Sequence, residues 1–433
     1  MPQPLGELVC VWETQPKNER AQRIFFPKEV LMLSPNRFIG LDIHKAYFVA
    51  VGVDVQKRVV FGPQTIPNHH LEAWVEKYLL SSDAVVVEMT VNTYLFHDII
   101  APCVHSFIAV HPPNVTLVTG VKIKTDKKAA LTLAQLHAVG MLEGVWIPPE
   151  PVRILRAVIA QREKMVRLST QAKNRLSSLL HRRHLVFSGE GNQYCPDQKE
   201  WWLSLPLTDL ERLIVQTDLD TLEFARKQID VIEQILKQEA AKDERVPLLA
   251  QLPGIGVLNA LTILSAIGVI NRFEDAAHLV GYAGLGTRVH NSGQVHRNGR
   301  ITKAGRKDLR QAMVQTANKA IQHHPFWKKE FERLEVHMGR SKAIVAIARK
   351  LLVAVWHILT NEVADRHADE RSVAASFINL AYKMGRKNLP GGISAKAFAR
   401  QQLDRLKIGS MLKTVPWGGK QIVLPPSSLD API

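Results

Sequence analysis

Twice near the start of the chain, an apolar run long enough for one buried strand stops on a carboxylate. Phe38-Ile39-Gly40-Leu41 reaches Asp42, and Ala84-Val85-Val86-Val87 reaches Glu88. Runs this short and this rich in β-branched residues fit strands better than helices. A carboxylate at the buried end of a strand costs several kcal/mol if nothing compensates it. Each acid therefore caps a turn, pairs with a cationic group or binds a cation.

The surrounding pattern places both runs in one α/β domain. Strands are expected at 38–43, 47–53, 58–62, 84–88 and 105–110, with helices near 70–80 and 92–102. Three leading strands in a meander followed by βαβ-like alternation is the order of a ribonuclease-H-like domain. Residues 1–36 are mixed, contain several prolines and read as an extension. Lys124-Thr125-Asp126 precedes an apolar-periodic helix, and Thr125 or Asp126 suits its N-cap, so Asp126 has a purely local reading too.

After Pro148-Pro149 the periodicity becomes helical. Residues 151–184 carry Ile154, Val158, Met165, Leu168, Ala172, Leu176 and Leu179 at three- and four-residue spacing. The other faces are basic and include Arg162, Arg167 and Lys173, with Glu163 as the one opposing acid. One-sided charge of this kind points to phosphate. A second helix carries Leu222, Ala225, Ile229, Ile232 and Leu236, and the loop 188–206 lies between the two. Together they predict a projecting helical hairpin, either a dimerising coiled coil or a packed bundle.

Pro253-Gly254-Ile255-Gly256 resembles the turn of a helix–hairpin–helix module, where backbone N–H groups approach a phosphate. Residues 281–310 hold seven Lys and Arg, six Gly and a single acid, Asp308. Glycine permits close backbone approach and the cations supply charge, the outline of a polyphosphate surface. Arg297, Arg300, Lys303, Arg306, Lys307 and Arg310 are its candidate phosphate contacts, joined by Lys124 from the first domain. Ser292, between Asn291 and Gly293, reads as an exposed turn residue. Residues 309–322 and 341–360 are expected core helices; beyond 365 a helical stretch gives way to a basic, Gly- and Pro-punctuated tail expected to be extended or partly disordered.

The formal net charge of +16 favours polyphosphate partners and disfavours non-specific self-association. Cys10, Cys103 and Cys195 are far apart and form no CxxC pair, which argues against a structural zinc or a disulfide framework and for a reducing compartment. Residues 1–30 carry scattered charges rather than an apolar signal core, and Arg349, Lys350 and His357 interrupt the most apolar helix. The expectation is a soluble cytoplasmic protein without a membrane partner.

Six short motifs occur in one order: Gly40-Leu41-Asp42-Ile43-His44-Lys45, Val87-Glu88-Met89-Thr90, Lys124-Thr125-Asp126, Pro253-Gly254-Ile255-Gly256, Gly281-Tyr282-Ala283-Gly284-Leu285, and Ser292-Gly293 followed by Gly299-Arg300-Ile301-Thr302-Lys303. In this the chain resembles the DEDD-type insertion-sequence transposases, whose studied members are bridge-RNA-guided DNA recombinases. The resemblance implies five segments: an extension at 1–36, a RuvC-like metal domain of RNase H fold at 37–147, a helical hairpin or coiled coil at 148–246, a mostly helical transposase domain with a serine at 247–365, and a basic tail at 366–433. It implies that Asp42, Glu88 and Asp126 bind Mg2+ and that Ser292 is a nucleophile. It further implies a structured noncoding guide RNA, target and donor double-stranded DNA, and a dimer or tetramer with composite active sites.

The family pattern Lys-Thr-Asp-x-x-Asp-Ala is broken here, because Ala129 stands where the fourth acid belongs. Acids at i and i+3 would lie one helical turn apart on one face. Ala129 offers no oxygen, which leaves an inactivated variant, a natural departure, or a site of three acids and water; blocked catalysis is the expectation carried forward. The rival classes are a Holliday-junction-type RuvC-like nuclease, which needs no Ser292, and a non-catalytic nucleic-acid-binding scaffold.

Overall fold

The computed structural model describes residues 35–112, 125–292 and 295–430, and the chain divides into two units, Met1–Ile147 and Pro148–Ile433. The expected extension at 1–36 lies almost wholly outside the described residues.

In the first unit the strands are β1 (Arg37–Ile43), β2 (Tyr47–Asp54), β3 (Val59–Pro67), β4 (Asp83–Glu88) and β5 (Ser106–Val110). They form one sheet in the order β3-β2-β1-β4-β5. The first three run antiparallel, and β1, β4 and β5 run parallel. The helices are α1 (Leu71–Tyr78), α2 (Thr93–Ile100) and α3 (Asp126–Ala138). β3 runs five residues past its expected end at 62 to Pro67. Pro63 reads as a strand stop, yet β3 is an edge strand, where a missing N–H is tolerated.

Strand alternation assigns the two faces of the sheet. Ile39, Leu41, Val85 and Val87 pack with Trp74, Phe96 and Ile100 beneath α1 and α2. Phe38 and Ala84 pack with Ala134, Val86 with Leu133, and Val49 and Val51 with Ala130, all beneath α3. Gly40 is the contact point: a Cβ built there would fall 2.0 Å from the Ala130 carbonyl oxygen and 2.7 Å from the Ala134 nitrogen. Both neighbours are backbone, so any side chain would push α3 off the sheet. At the opposite end of β1, Arg37 donates to both oxygens of Asp83, at 2.8 and 2.6 Å, and to the Tyr78 carbonyl. Arg37 and Asp83 are register partners on parallel strands, and Asp83 is fully buried.

In the second unit, α4 (Glu150–Arg182) and α6 (Asp209–Lys242) are the two long helices, and the short α5 (Lys199–Ser204) lies between them. Met165, Ala172, Leu176 and Leu179 are buried as their spacing predicts, whereas Ile154 is exposed. The expected loop 188–206 contains α5, whose Trp202 is fully buried and donates to the Gln193 carbonyl. Then follow α7 (Arg245–Ala250), α8 (Val257–Ile267), α9 (Ala276–Tyr282), the hairpin β6 (Thr287–Ser292) and β7 (Val295–Ile301), α10 (Lys307–His323), α11 (Pro325–Met338) and α12 (Arg340–Asn361). α12 is long and apolar enough to cross a membrane by composition alone, but Ile347, Leu351, Leu352 and Val355 are buried in the protein core.

The helical stretch expected beyond 365 is α13 (Glu370–Met384), whereas the expectation that the end after it is extended or partly disordered is corrected: it forms α14 (Ala395–Arg405) and the hairpin β8 (Thr414–Trp417) and β9 (Lys420–Val423). Phe377, Ile378, Phe398, Leu403 and Val415 join the main core of the unit, and the buried Arg400 donates to the Gly409, Leu412 and Pro425 carbonyls. Glycine and proline punctuation hid a sparse set of apolar anchors.

Two substitutions test this frame. Asp83→Ala leaves Arg37 unpaired and is expected to cost about 3 kcal/mol, read as a lowered urea midpoint at unchanged slope. Gly40→Ala is expected to cost about 2 kcal/mol through forced displacement of α3, measured in the same titration; an unchanged midpoint would refute the close approach.

Candidate active site

Asp42 shares strand parity with Phe38 and Gly40, so it faces α3. Leu41 pairs with Val87 in the parallel β1–β4 ladder, which sets Asp42 and Glu88 at matching ends of neighbouring strands. Glu88 shares parity with Val86 and points to the same face. Asp126 is the first residue of α3, and the Thr125 side chain caps the helix by accepting from the Lys128 N–H. Asp126 is therefore not itself the cap, and its carboxylate is turned toward the sheet.

The resulting cluster brings Asp42 and Asp126 together with His44, one ligand atom from each lying within 4.8 Å of the others. His44 Nε2 is 3.4 Å from Asp42 Oδ2 and 3.3 Å from Asp126 Oδ2. Tyr47 O–H donates to Asp126 Oδ2 at 2.8 Å. Burial pushes the Asp42 carboxyl above the usual carboxylate range; His44 opposes the shift and the Asp126 charge adds to it. Burial, then the Asp42 charge, raises Glu88 likewise. Converging acids that resist ionisation beside one another form a site whose charge a cation would balance. Carboxylate oxygens with one imidazole suit a divalent ion. Ala129 lies one turn beyond Asp126, half-buried, with its N–H bonded to the Thr125 carbonyl.

Sequence reading singled out the three acids and passed over His44 and Tyr47. The available signal was parity: Asp42 and His44 are two residues apart and so share a face, and Tyr47 opens the antiparallel partner strand.

Ser292 belongs to the second unit. Ser292, read as a turn residue, is the last residue of β6 and pairs with Val295 of β7. No strand was expected in 281–310, where glycine and cations mask the alternation. The side chains of residues 289–298, those of Ser292 and Arg297 included, lie outside the described residues, as does Lys124. Arg300, Lys303 and Lys307 are exposed. Arg306 is paired with Asp308, and Arg310 donates to the Ala283 carbonyl at 2.8 Å. On α4, Arg162 is paired with Glu233 of α6, Arg167 lies 3.7 Å from Glu163, and the Lys173 ammonium sits over the Tyr194 ring.

Residues 39–184 match the sequence model of the DEDD transposases of the IS110 type, and residues 246–332 match that of the transposase IS116/IS110/IS902 family. The pilin gene-inverting proteins of Moraxella bovis and Moraxella lacunata are 29% and 31% identical to this chain. Those alignments cover 74% and 55% of this chain and 95% and 67% of the relatives. The transposase for insertion sequence element IS1111A of Coxiella burnetii is 22% identical over 79% of this chain and 95% of its own length.

A raised folded-state pKa stabilises the protein fully below the unfolded value, about 4 for a carboxyl, and that contribution is lost as pH rises through the folded value. In chelator-treated protein, Asp42→Asn removes this loss. The variant is expected to melt higher than the parent at neutral pH and to match it near pH 4, with the difference closing when a divalent cation is added to the parent. Thermal unfolding followed by circular dichroism checks it.

Proposed function

This chain belongs to the IS116/IS110/IS902 transposase family, and from that premise we propose that it exchanges DNA strands through a divalent-cation carboxylate site and a serine nucleophile. The observation that carries the proposal is the convergence of Asp42 and Asp126, with Glu88 electrostatically coupled to Asp42, at one end of the sheet. Nucleic-acid chemistry needs local negative charge of this kind in a protein of net charge +16, because the acids must hold a cation against a polyanionic substrate. The sheet order β3-β2-β1-β4-β5, with three antiparallel strands followed by parallel ones, supports an RNase H or RuvC-like reading of 37–147.

Asp42, Glu88 and Asp126 would hold the cation, read as Mg2+ from the resemblance. When bound, it supplies charge neutralisation at the scissile phosphate and lowers the pKa of an attacking hydroxyl. The Ser292 oxygen attacks the phosphorus, a serine–phosphate bond forms and a DNA hydroxyl leaves with a proton. Attack by the hydroxyl of a partner strand reverses the step, so the number of phosphodiester bonds is conserved. Exposed Arg300, Lys303 and Lys307, with Arg297, would position the strand without reading bases. Selection of target and donor sites falls to a structured guide RNA, and the site is completed between protomers of a dimer or tetramer.

A hydrolytic nuclease would need the acids alone. Relatives named for inverting a gene favour exchange, since inversion requires rejoining of what is cut. Ala129 leaves the site one oxygen ligand short, so strand transfer with Mg2+ is expected to be weak and to rise in Ala129→Asp. In that background Ser292→Ala should eliminate the covalent protein–DNA adduct and reduce strand transfer by roughly a thousandfold or more while DNA binding persists. Gel detection of the adduct decides it; cleavage that survives Ser292→Ala would establish the nuclease instead.

A further inference from the structure

One member of the converging cluster is not an acid. We propose that His44 Nε2 supplies the cation ligand that Ala129 cannot, giving this chain an imidazole-containing site selective for nitrogen-tolerant divalent metals over Mg2+. The proposal rests on reading Asp42 and Asp126 as cation ligands.

Geometry supports it first. His44 Nε2 lies 3.4 and 3.3 Å from the Oδ2 atoms of Asp42 and Asp126. Adjacent ligands of a cation coordinated at about 2.1 Å are roughly 3 Å apart, so a small closure would satisfy a single ion. Nε2 is shielded from solvent, and its polar neighbours are the two carboxylates, at ion-pair distance, although the ring itself is part-exposed. A shielded nitrogen aimed between two carboxylates is placed where a shared cation would take all three as ligands.

The support around His44 is that of a positioned ligand. Its backbone N–H donates to the Tyr47 carbonyl at 2.8 Å, and its backbone carbonyl accepts from Asn68 Nδ2 at 3.0 Å and Asn92 Nδ2 at 3.1 Å. The ring lies against Tyr47, with centroids 4.7 Å apart and planes 30° from parallel, and the Tyr47 hydroxyl fixes Asp126 Oδ2. One tyrosine thus orients both a nitrogen and an oxygen donor, the outer-sphere arrangement that holds ligands in register. Replacing a carboxylate with a neutral imidazole removes one negative charge and adds a softer donor. Both changes disfavour Mg2+ and favour Mn2+, Co2+ or Zn2+.

The test uses the full chain stripped with chelator and titrated with Mn2+, with pulsed electron paramagnetic resonance reading the 14N coupling of a directly bonded imidazole. The parent is expected to bind Mn2+ at least tenfold tighter than Mg2+ and to show that coupling. His44→Ala should lose the coupling and weaken Mn2+ binding at least tenfold. His44→Asp should keep Mn2+, lose the coupling and regain Mg2+; it also serves if the alanine variant does not fold. Bound Mn2+ without nitrogen coupling in the parent, or coupling that persists in His44→Ala, overturns the proposal. If the parent fails to bind but Ala129→Asp does, and adding Asp42→Asn to Ala129→Asp abolishes that binding, the acidic site stands and the role of His44 falls. Failure of all of them to bind Mn2+ overturns the cation reading and the proposal with it.

Discussion

The close approach of α3 to β1 at Gly40 is the contact from which the acidic site is built. With no Cβ in the way, the helix backbone rests on the strand, and the first residue of the helix is delivered to the strand end. Alternation then turns Asp42 toward that helix and sends Ile39 and Leu41 to the opposite layer. The parallel pairing of β1 with β4, clamped at its far end by Arg37 and Asp83, sets Glu88 level with Asp42. Chain segments distant in sequence are thereby fixed to within a few ångströms by packing rather than by attraction between the acids, which repel one another.

That repulsion has a functional meaning. Burial holds Asp42 and Glu88 above the ordinary carboxylate range, with the Asp126 charge adding to the first and the Asp42 charge to the second, so the metal-free site carries electrostatic strain. Binding of a divalent ion would relieve it, and this couples the stability of the first unit to cation occupancy. The fold sustains the strain because the sheet beneath is dry and closely packed, with Ile39, Leu41, Val85, Val86 and Val87 fully buried.

In the second unit the excess of positive charge is partly structural. Arg156 donates to the Ser265 and Ala266 carbonyls, Arg272 stacks over Phe273 and Tyr282, and Arg245 reaches the Gly268 carbonyl. Arg162 and Arg175 of α4, and Arg183 just past its end, pair with Glu233, Asp218 and Glu211 of α6. Much of the basic face read from α4 therefore stitches two helices together. Arg300, Lys303 and Lys307, around β7 and the start of α10, stay exposed, and among the described residues no ion pair engages them as Asp308 engages Arg306.

The sequence by itself determined the strand and helix types of the first unit, the long helices of the second, the two strand-end acids, and through motif order the transposase resemblance. These are local or periodic properties, written in apolar spacing and in short runs. Only tertiary structure decided that Asp126 faces Asp42 instead of capping α3, that His44 and Tyr47 belong to the cluster, and that Trp202 and Val415 are core residues within segments read as loop and tail. It also decided which arginines are consumed by internal partners. The reason is common to all of these: each depends on a partner far away in the chain, and one-dimensional spacing carries parity and periodicity but not the identity of what packs across the gap.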